Sequence, residues 1–324
     1  STNPSPPHPD VAAAVAEAAL ARYPDSRCGE LRAALAELHG VSRGSVLVVN
    51  GLAQAIFLCA FAFADRGRTV LTAPPAFGEY RNASELAGAA VAEVRAKEEE
   101  DFALPMAEVE KRIEAESPSL VWLCSPNNPA GVLPGREELS RLLPLCRKSG
   151  ATLVLDEAYI NFAPPGSSAL PLMGPNLVIL RSMTKDYGLT GLRLGYILAP
   201  ERVIAGLSSM QPPWSVNACA QAAGMAVLRR RVYYEAQWEE LRAAGRELAS
   251  GLAAIGFPPL PSSGNFLLFK AGDVRSMSEF LWKRRILVRD CASFGLEGYV
   301  RVGVRTGDEN ALLLRALADY REVR

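Results

Sequence analysis

Seven short apolar runs, separated by stretches of helical pattern, constrain this chain more than any other feature of its sequence. They lie at 46–49, 69–72, 90–94, 120–124, 152–155, 177–180 and 194–198. Runs of Val, Ile and Leu without polar alternation suit strands buried on both faces, the situation in a mostly parallel sheet covered by helices. Helical patterns at 54–64, 81–89, 106–115 and 137–149 fill the gaps. The alternation predicts a doubly wound α/β unit over roughly residues 30–210.

The flanks read differently. Pro4, Pro6, Pro7 and Pro9 keep residues 1–9 extended, and Asp10 is placed to cap a helix running to about Arg22. A second amphipathic helix fits 29–39, closed by Gly40. After Pro212-Pro213 the pattern is nearly continuous helix from 216 to 248. A strand at 265–269, a helix near 275–284, strands near 286–288 and 299–304, and a last helix at 309–320 follow. The expected division is an N-terminal arm and helix (1–29) packing with the small domain, a large domain (30–213), and a small α+β C-terminal domain (214–324).

Composition removes several classes of function. Lys plus Arg and Asp plus Glu both number 35, so the formal charge is zero and no footprint for nucleic acid or an anionic membrane is present. No apolar run approaches the roughly 20 residues of a membrane helix. Ser1 to Asp10 is polar, unlike a signal peptide, so a cytoplasmic location is expected. The six Cys form no CxxC pair, and the two His, His8 and His39, sit in no motif. Neither a metal site nor a His-based triad is indicated.

Four constellations carry chemistry, all at predicted strand ends. Arg181-Ser182-Met183-Thr184-Lys185-Asp186-Tyr187-Gly188 follows the run at 177–180, with Arg193 eight positions beyond the lysine. A single Lys after a strand is ordinarily a solvated loop residue. Here Ser182 and Thr184 offer hydroxyl donors and Arg193 a two-pronged cation, a set suited to phosphate. A Lys beside such a cation has its amine pushed toward the neutral form that forms a Schiff base. Asp156-Glu157-Ala158-Tyr159 closes the run at 152–155. The acid is either a helix cap or a partner for a protonated ring nitrogen. Ser125-Pro126-Asn127-Asn128-Pro129-Ala130-Gly131 reads as a turn, or as a loop presenting an amide. Asn50-Gly51-Leu52-Ala53-Gln54 joins a strand to a helix, where backbone N–H groups form an anion site.

Together these segments resemble the fold-type I pyridoxal-phosphate enzymes, and within them the branch of histidinol-phosphate aminotransferases and threonine-phosphate decarboxylases. The resemblance covers nearly the whole chain and implies the aspartate aminotransferase-like PLP-transferase fold. It makes Lys185 the Schiff-base lysine and proton shuttle, and Asp156 the partner of the pyridinium. Asn128 and Tyr159 would bind the ring hydroxyl, with Lys185, Asp156 and Tyr159 as the catalytic set. Ser182, Thr184, Arg193 and the backbone of Gly51, Leu52 and Ala53 would hold the cofactor phosphate. Phe77, in Ala76-Phe77-Gly78-Glu79-Tyr80, matches an aromatic that stacks on the ring, though by composition it reads as core. Tyr23 matches a residue reaching the neighbouring subunit's cofactor, which implies a homodimer. Arg301 would clamp the substrate α-carboxylate, Arg289 its distal, phosphate-like end, and Asn3 a strand lying over the substrate.

The resemblance implies an aminotransferase of amino-acid biosynthesis acting on an amino acid or amino-phosphate. A threonine-phosphate decarboxylase-like enzyme of cobalamin biosynthesis is the alternative, and a cofactor-binding regulatory relative the non-enzymatic one. Arg289-Asp290-Cys291, Pro213-Trp214-Ser215-Val216-Asn217 and Val304-Arg305-Thr306 lean toward the decarboxylases. Asn3-Pro4-Ser5-Pro6 is a shortened form of the family's opening, and Thr184 replaces a usual Ser while keeping its hydroxyl.

Overall fold

The computed structural model describes residues 2–323; Ser1 and Arg324, the outer limits of the expected first and last segments, lie outside it. Helices α1 (Pro9–Ala16) and α2 (Gly29–His39) lead into strand β1 (Val46–Val49). Then come α3 (Gly51–Phe63), β2 (Thr69–Thr72), α4 (Glu79–Leu86), β3 (Ala90–Glu93) and α5 (Met106–Glu116). Next are β4 (Leu120–Cys124), α6 (Arg136–Ser149), β5 (Thr152–Asp156), β6 (Leu177–Ser182), α7 (Met183–Asp186) and β7 (Gly195–Leu198). The chain continues through α8 (Glu201–Met210), α9 (Ala218–Arg229), α10 (Arg231–Ala254), β8 (Phe266–Lys270) and α11 (Val274–Trp282). It ends with β9 (Arg289–Asp290), β10 (Tyr299–Gly303) and α12 (Gly307–Glu322).

The first seven strands form one sheet in the order β1-β7-β6-β5-β4-β2-β3. Only β7 runs against its neighbours, β1 and β6; the other pairings are parallel. Side chains alternate across the sheet. Val46 and Val48 enter the core on one face, Leu47 and Val49 that on the other. In β6, Leu177 and Ile179 divide from Val178 and Leu180 in the same way. Both faces are buried along β1, β4, β6 and β7, so those strands read as apolar runs, while the edge strand β3 is partly exposed. A three-stranded antiparallel sheet, β8-β10-β9, is built from the C-terminal part.

Three expectations required correction. The helix predicted from Asp10 to Arg22 starts at Pro9, whose missing N–H is harmless in a first turn, and His8 Nδ1 caps it by accepting from Asp10 N at 3.2 Å. It stops at Ala16 because residues beyond have nothing to pack on; Leu20 is 79% exposed, and a short helix needs tertiary burial. The run at 216–248 breaks at Arg230 into α9, which packs on α1 and α2, and α10, which crosses to the small sheet and α12. Propensity does not register such a change of direction. The strand expected at 286–288 lies at Arg289–Asp290, because only there does the chain pair with β10. No helix among the described residues is long and apolar enough to cross a membrane.

Candidate active site

The parallel strands end at one edge of the large sheet, and their ends open onto a cavity of about 340 Å³. Leu52, Ala53, Phe77, Asn128, Asp156, Tyr159, Ser182, Thr184, Lys185, Arg193, Arg289 and Arg301 all line it. These positions span much of the sequence, and the strand order of the large sheet together with the small sheet brings them to one cavity.

Lys185 lies in α7, the single turn following β6, and its backbone carbonyl accepts from Asn3 N at 2.7 Å. Among the described residues its amine has no ion-pair partner. Burial, first, and the charges of Arg301 and Arg193 push its pKa down, so the neutral amine is favoured. Asp156, at the end of β5, is 4% exposed. Its Oδ1 accepts from Ala158 N at 2.9 Å and its Oδ2 from the Tyr80 hydroxyl at 2.6 Å. Burial raises its pKa; those two donors and the Lys185 charge oppose the rise. Tyr159 is buried edge-on against Phe266, centroids 5.0 Å apart, and burial drives its phenol pKa up, keeping it a proton donor.

Opposite lies an anion cradle. Gly51 opens α3 at φ +69°, and a Cβ there would come within 2.9 Å of Arg193 Nη2. Glycine therefore lets the guanidinium lie against the helix start, where unpaired N–H groups and the helix dipole favour an anion. Arg193 is itself left-handed, at φ 57°. The Ser182 and Thr184 hydroxyls, 2.7 Å apart and buried, complete the donor set.

The small sheet closes the cavity. Arg301 on β10 stands directly across from Arg289 on β9, so both side chains leave the same face. Arg301 hydrogen-bonds Asn128 Oδ1 and lies over the Phe266 ring at 5.0 Å. Arg289 donates to Ser293 Oγ at 2.7 Å.

Two of the expected residues sit elsewhere. Asn3 is buried behind the Lys185 loop; its amide donates to Asp186 O at 3.0 Å and Gln237 Oε1 at 2.9 Å, and it does not line the cavity. The shortened opening segment lies against the back of that loop. Tyr23 lies outside the cavity, 80% exposed, its ring stacked on Trp214 at 4.6 Å. Conversely, sequence reading passed over Tyr80, Cys124 and Phe294, which line the cavity. Tyr80 stands three residues after Phe77, one helical turn on, and that spacing was the available signal.

The sequence profile of the family described as "Aminotransferase class I and II" matches residues 2–317. A threonine-phosphate decarboxylase of Salmonella typhimurium is 34% identical over 308 residues, covering 92% of this chain and 83% of the relative. A histidinol-phosphate aminotransferase of Carboxydothermus hydrogenoformans is 35% identical over 300 residues, covering 92% and 83%. The structure of histidinol-phosphate aminotransferase from Sinorhizobium meliloti, in complex with pyridoxal-5'-phosphate, superposes with a TM-score of 0.89 at 23% identity, over 100% of this chain and 90% of that one.

Proposed function

The chain belongs to the aminotransferase class I and II family, an enzyme family dependent on pyridoxal phosphate and here of the histidinol-phosphate aminotransferase-like kind, and from that premise we propose that it transfers the amino group of an amino-phosphate through Lys185. The observation carrying this reading is one cavity lined by a half-buried lysine amine, a buried carboxylate and an anion cradle.

The donor set fits the cofactor. The cradle at Gly51, Ser182, Thr184 and Arg193 suits a phosphate. Asp156, whose charge burial disfavours, gains a partner in a protonated ring nitrogen. Pyridoxal phosphate supplies, when bound, an aldehyde for an amine and a ring that stores the electron pair left when a bond to Cα breaks.

The chain's own residues do the rest. Lys185 is the attachment point and, once displaced by substrate, takes and returns the proton at Cα; burial and the nearby guanidiniums lower its pKa and so shift it toward the accepting form. Asp156 holds the proton on the ring nitrogen. Tyr159 and the Asn128 amide address the ring hydroxyl, and Phe77 covers the ring face. Arg301 clamps the α-carboxylate with two parallel N–H groups. Arg289, directly opposite Arg301, binds a second anionic group. Two guanidiniums opposed on one sheet face repel each other, and a substrate anionic at both ends relieves that repulsion.

Loss of the carboxylate as carbon dioxide is the second reading, favoured by the 34% identity to a threonine-phosphate decarboxylase. The same residues serve it, and the bond held perpendicular to the ring decides. We further propose a cytoplasmic homodimer, in which the exposed Tyr23–Trp214 stack faces the second copy.

Borohydride treatment of the holoenzyme tests the attachment: a yellow band that bleaches, with the label on the Lys185 peptide, is expected. Protein that stays colourless with added cofactor overturns both enzyme readings. O-phosphothreonine or histidinol phosphate with a keto-acid acceptor then separates them. An aminated acceptor supports transfer; carbon dioxide released from O-phosphothreonine without acceptor supports decarboxylation, histidinol phosphate having no carboxylate to lose.

A further inference from the structure

Tyr80 is a core aromatic by burial, 2% exposed, yet its one polar atom is spent on the site. Its hydroxyl donates to Asp156 Oδ2 at 2.6 Å, while Ala158 N holds Oδ1 at 2.9 Å. Two donors, one on each oxygen, fix the plane of the carboxylate and leave the remaining lone pairs for the cavity. Resting on the reading of the cleft given above, we propose that Tyr80 is a positioning residue for Asp156, holding that carboxylate ionised and oriented toward the cofactor's ring nitrogen.

The phenol cannot swing away. Its ring stacks on Trp122 with centroids 5.1 Å apart and planes 10° from parallel, and Phe77 meets it edge-on at 5.9 Å. Trp122 Nε1 donates to Ser84 Oγ at 3.1 Å, and Ser84 Oγ donates to the Tyr80 carbonyl at 2.7 Å. The loop of contacts joins α4 to β4, and Tyr80 carries it to the end of β5. A hydroxyl held this way costs no reorganisation when the ring nitrogen becomes charged.

Electrostatics give the hydroxyl its task. Burial favours protonated Asp156, and the Tyr80 hydroxyl works against burial. Burial and the Asp156 charge together drive the phenol's own pKa far up, so Tyr80 stays the donor. Without it, the proton shared between carboxylate and ring nitrogen shifts toward the carboxylate, and the ring becomes a poorer electron sink.

Tyr80→Phe keeps the stack and removes one oxygen. Holoenzyme is reconstituted with pyridoxal phosphate isotope-labelled at its ring nitrogen and read by nitrogen NMR. The expected result is a resonance displaced from the pyridinium position toward that of unprotonated pyridine. The cofactor dissociation constant rises about tenfold, the usual size for losing a hydrogen bond to a charged group. Ser84→Ala loosens the stack without touching the hydroxyl and is expected to leave the resonance in place. An unmoved resonance in Tyr80→Phe, or an equal displacement in Ser84→Ala, overturns the proposal. A wild type that takes up no cofactor overturns the cleft reading and the proposal with it, whereas a normal wild type with an unaffected Tyr80→Phe overturns the proposal alone.

Discussion

Arg289 and Arg301 face each other directly across the antiparallel pair β9–β10, on the side turned toward the cavity. Neither is in a salt bridge among the described residues. Like charges in that position are destabilising unless an anion lies between them. Arg289→Gln is therefore expected to raise KM for a phosphorylated amino substrate about tenfold or more. It leaves kcat for an unphosphorylated analogue near that of the wild type. Equal effects on both substrates in steady-state kinetics would remove Arg289 from the distal end.

Arg301→Lys keeps the charge but loses the planar fork, and with it the bond to Asn128 Oδ1. The expected loss in kcat/KM is about tenfold to a hundredfold, for every α-amino acid tested. A loss confined to phosphorylated substrates contradicts this assignment.

Gly51→Ala probes the cradle. The new methyl meets Arg193 Nη2 at 2.9 Å, and φ +69° is strained for any L side chain. The backbone term alone costs about 1–2 kcal/mol. Denaturant unfolding of the apoprotein reads that cost. Weakened retention of cofactor under dialysis reads displacement of Arg193.

The buried pair of Glu157 and Arg181, 2.8 Å apart, sits behind the site. Ser168 Oγ accepts from Arg181 Nη2 and donates to Glu157, each at 2.9 Å. Each ion is the sequence neighbour of a cavity residue, Asp156 or Ser182, and alternation along the strand ends turns it away from the cavity. Glu157→Ala leaves a buried guanidinium unpaired and is expected to cost about 3–5 kcal/mol in urea unfolding. Glu157→Ala with Arg181→Met recovers much of that loss. A single variant as stable as the wild type refutes this.

Asp186, next to Lys185, is buried, and burial pushes its pKa up to about 7 even though Asn161 and the backbone amide of Tyr187 donate to it. The folded state therefore holds this proton more tightly than the unfolded chain, whose Asp has the ordinary value of 3.8. The stabilisation is complete below that value, falls as pH rises toward about 7, and is lost above it. Asp186→Asn removes the titration. The stability of the variant relative to wild type is expected to grow between pH values of about 5 and about 8, read from urea midpoints. A constant difference across that range contradicts it.

The segments around Lys185, Asp156, Asn128 and Gly51 were legible because their chemistry is local. Each lies at a strand end, where residue type and spacing mark a group suited to a phosphate, an imine or a ring partner, and the structure gathers residues of all four segments around one cavity. Three of the seven main-sheet strands, β1, β2 and β4, also match the apolar runs at both limits, since burial on both faces favours apolar side chains. Asn3 and Tyr80 were not legible in the same way. Asn3 was read as lying over the substrate, yet its amide is consumed by Asp186 and Gln237 behind the loop. Tyr80 is buried in the core, and only its oxygen reaches the site.

Local sequence alone set the alternation of strands and helices, the left-handed turn at Gly51 and the set of reactive groups. Tertiary structure decided which of those groups share a cavity, that Arg289 faces Arg301, and that a phenol reaches Asp156 from another element. Strand order and cross-strand register govern these relations. They depend on contacts between residues far apart in the chain, which no short window of sequence encodes.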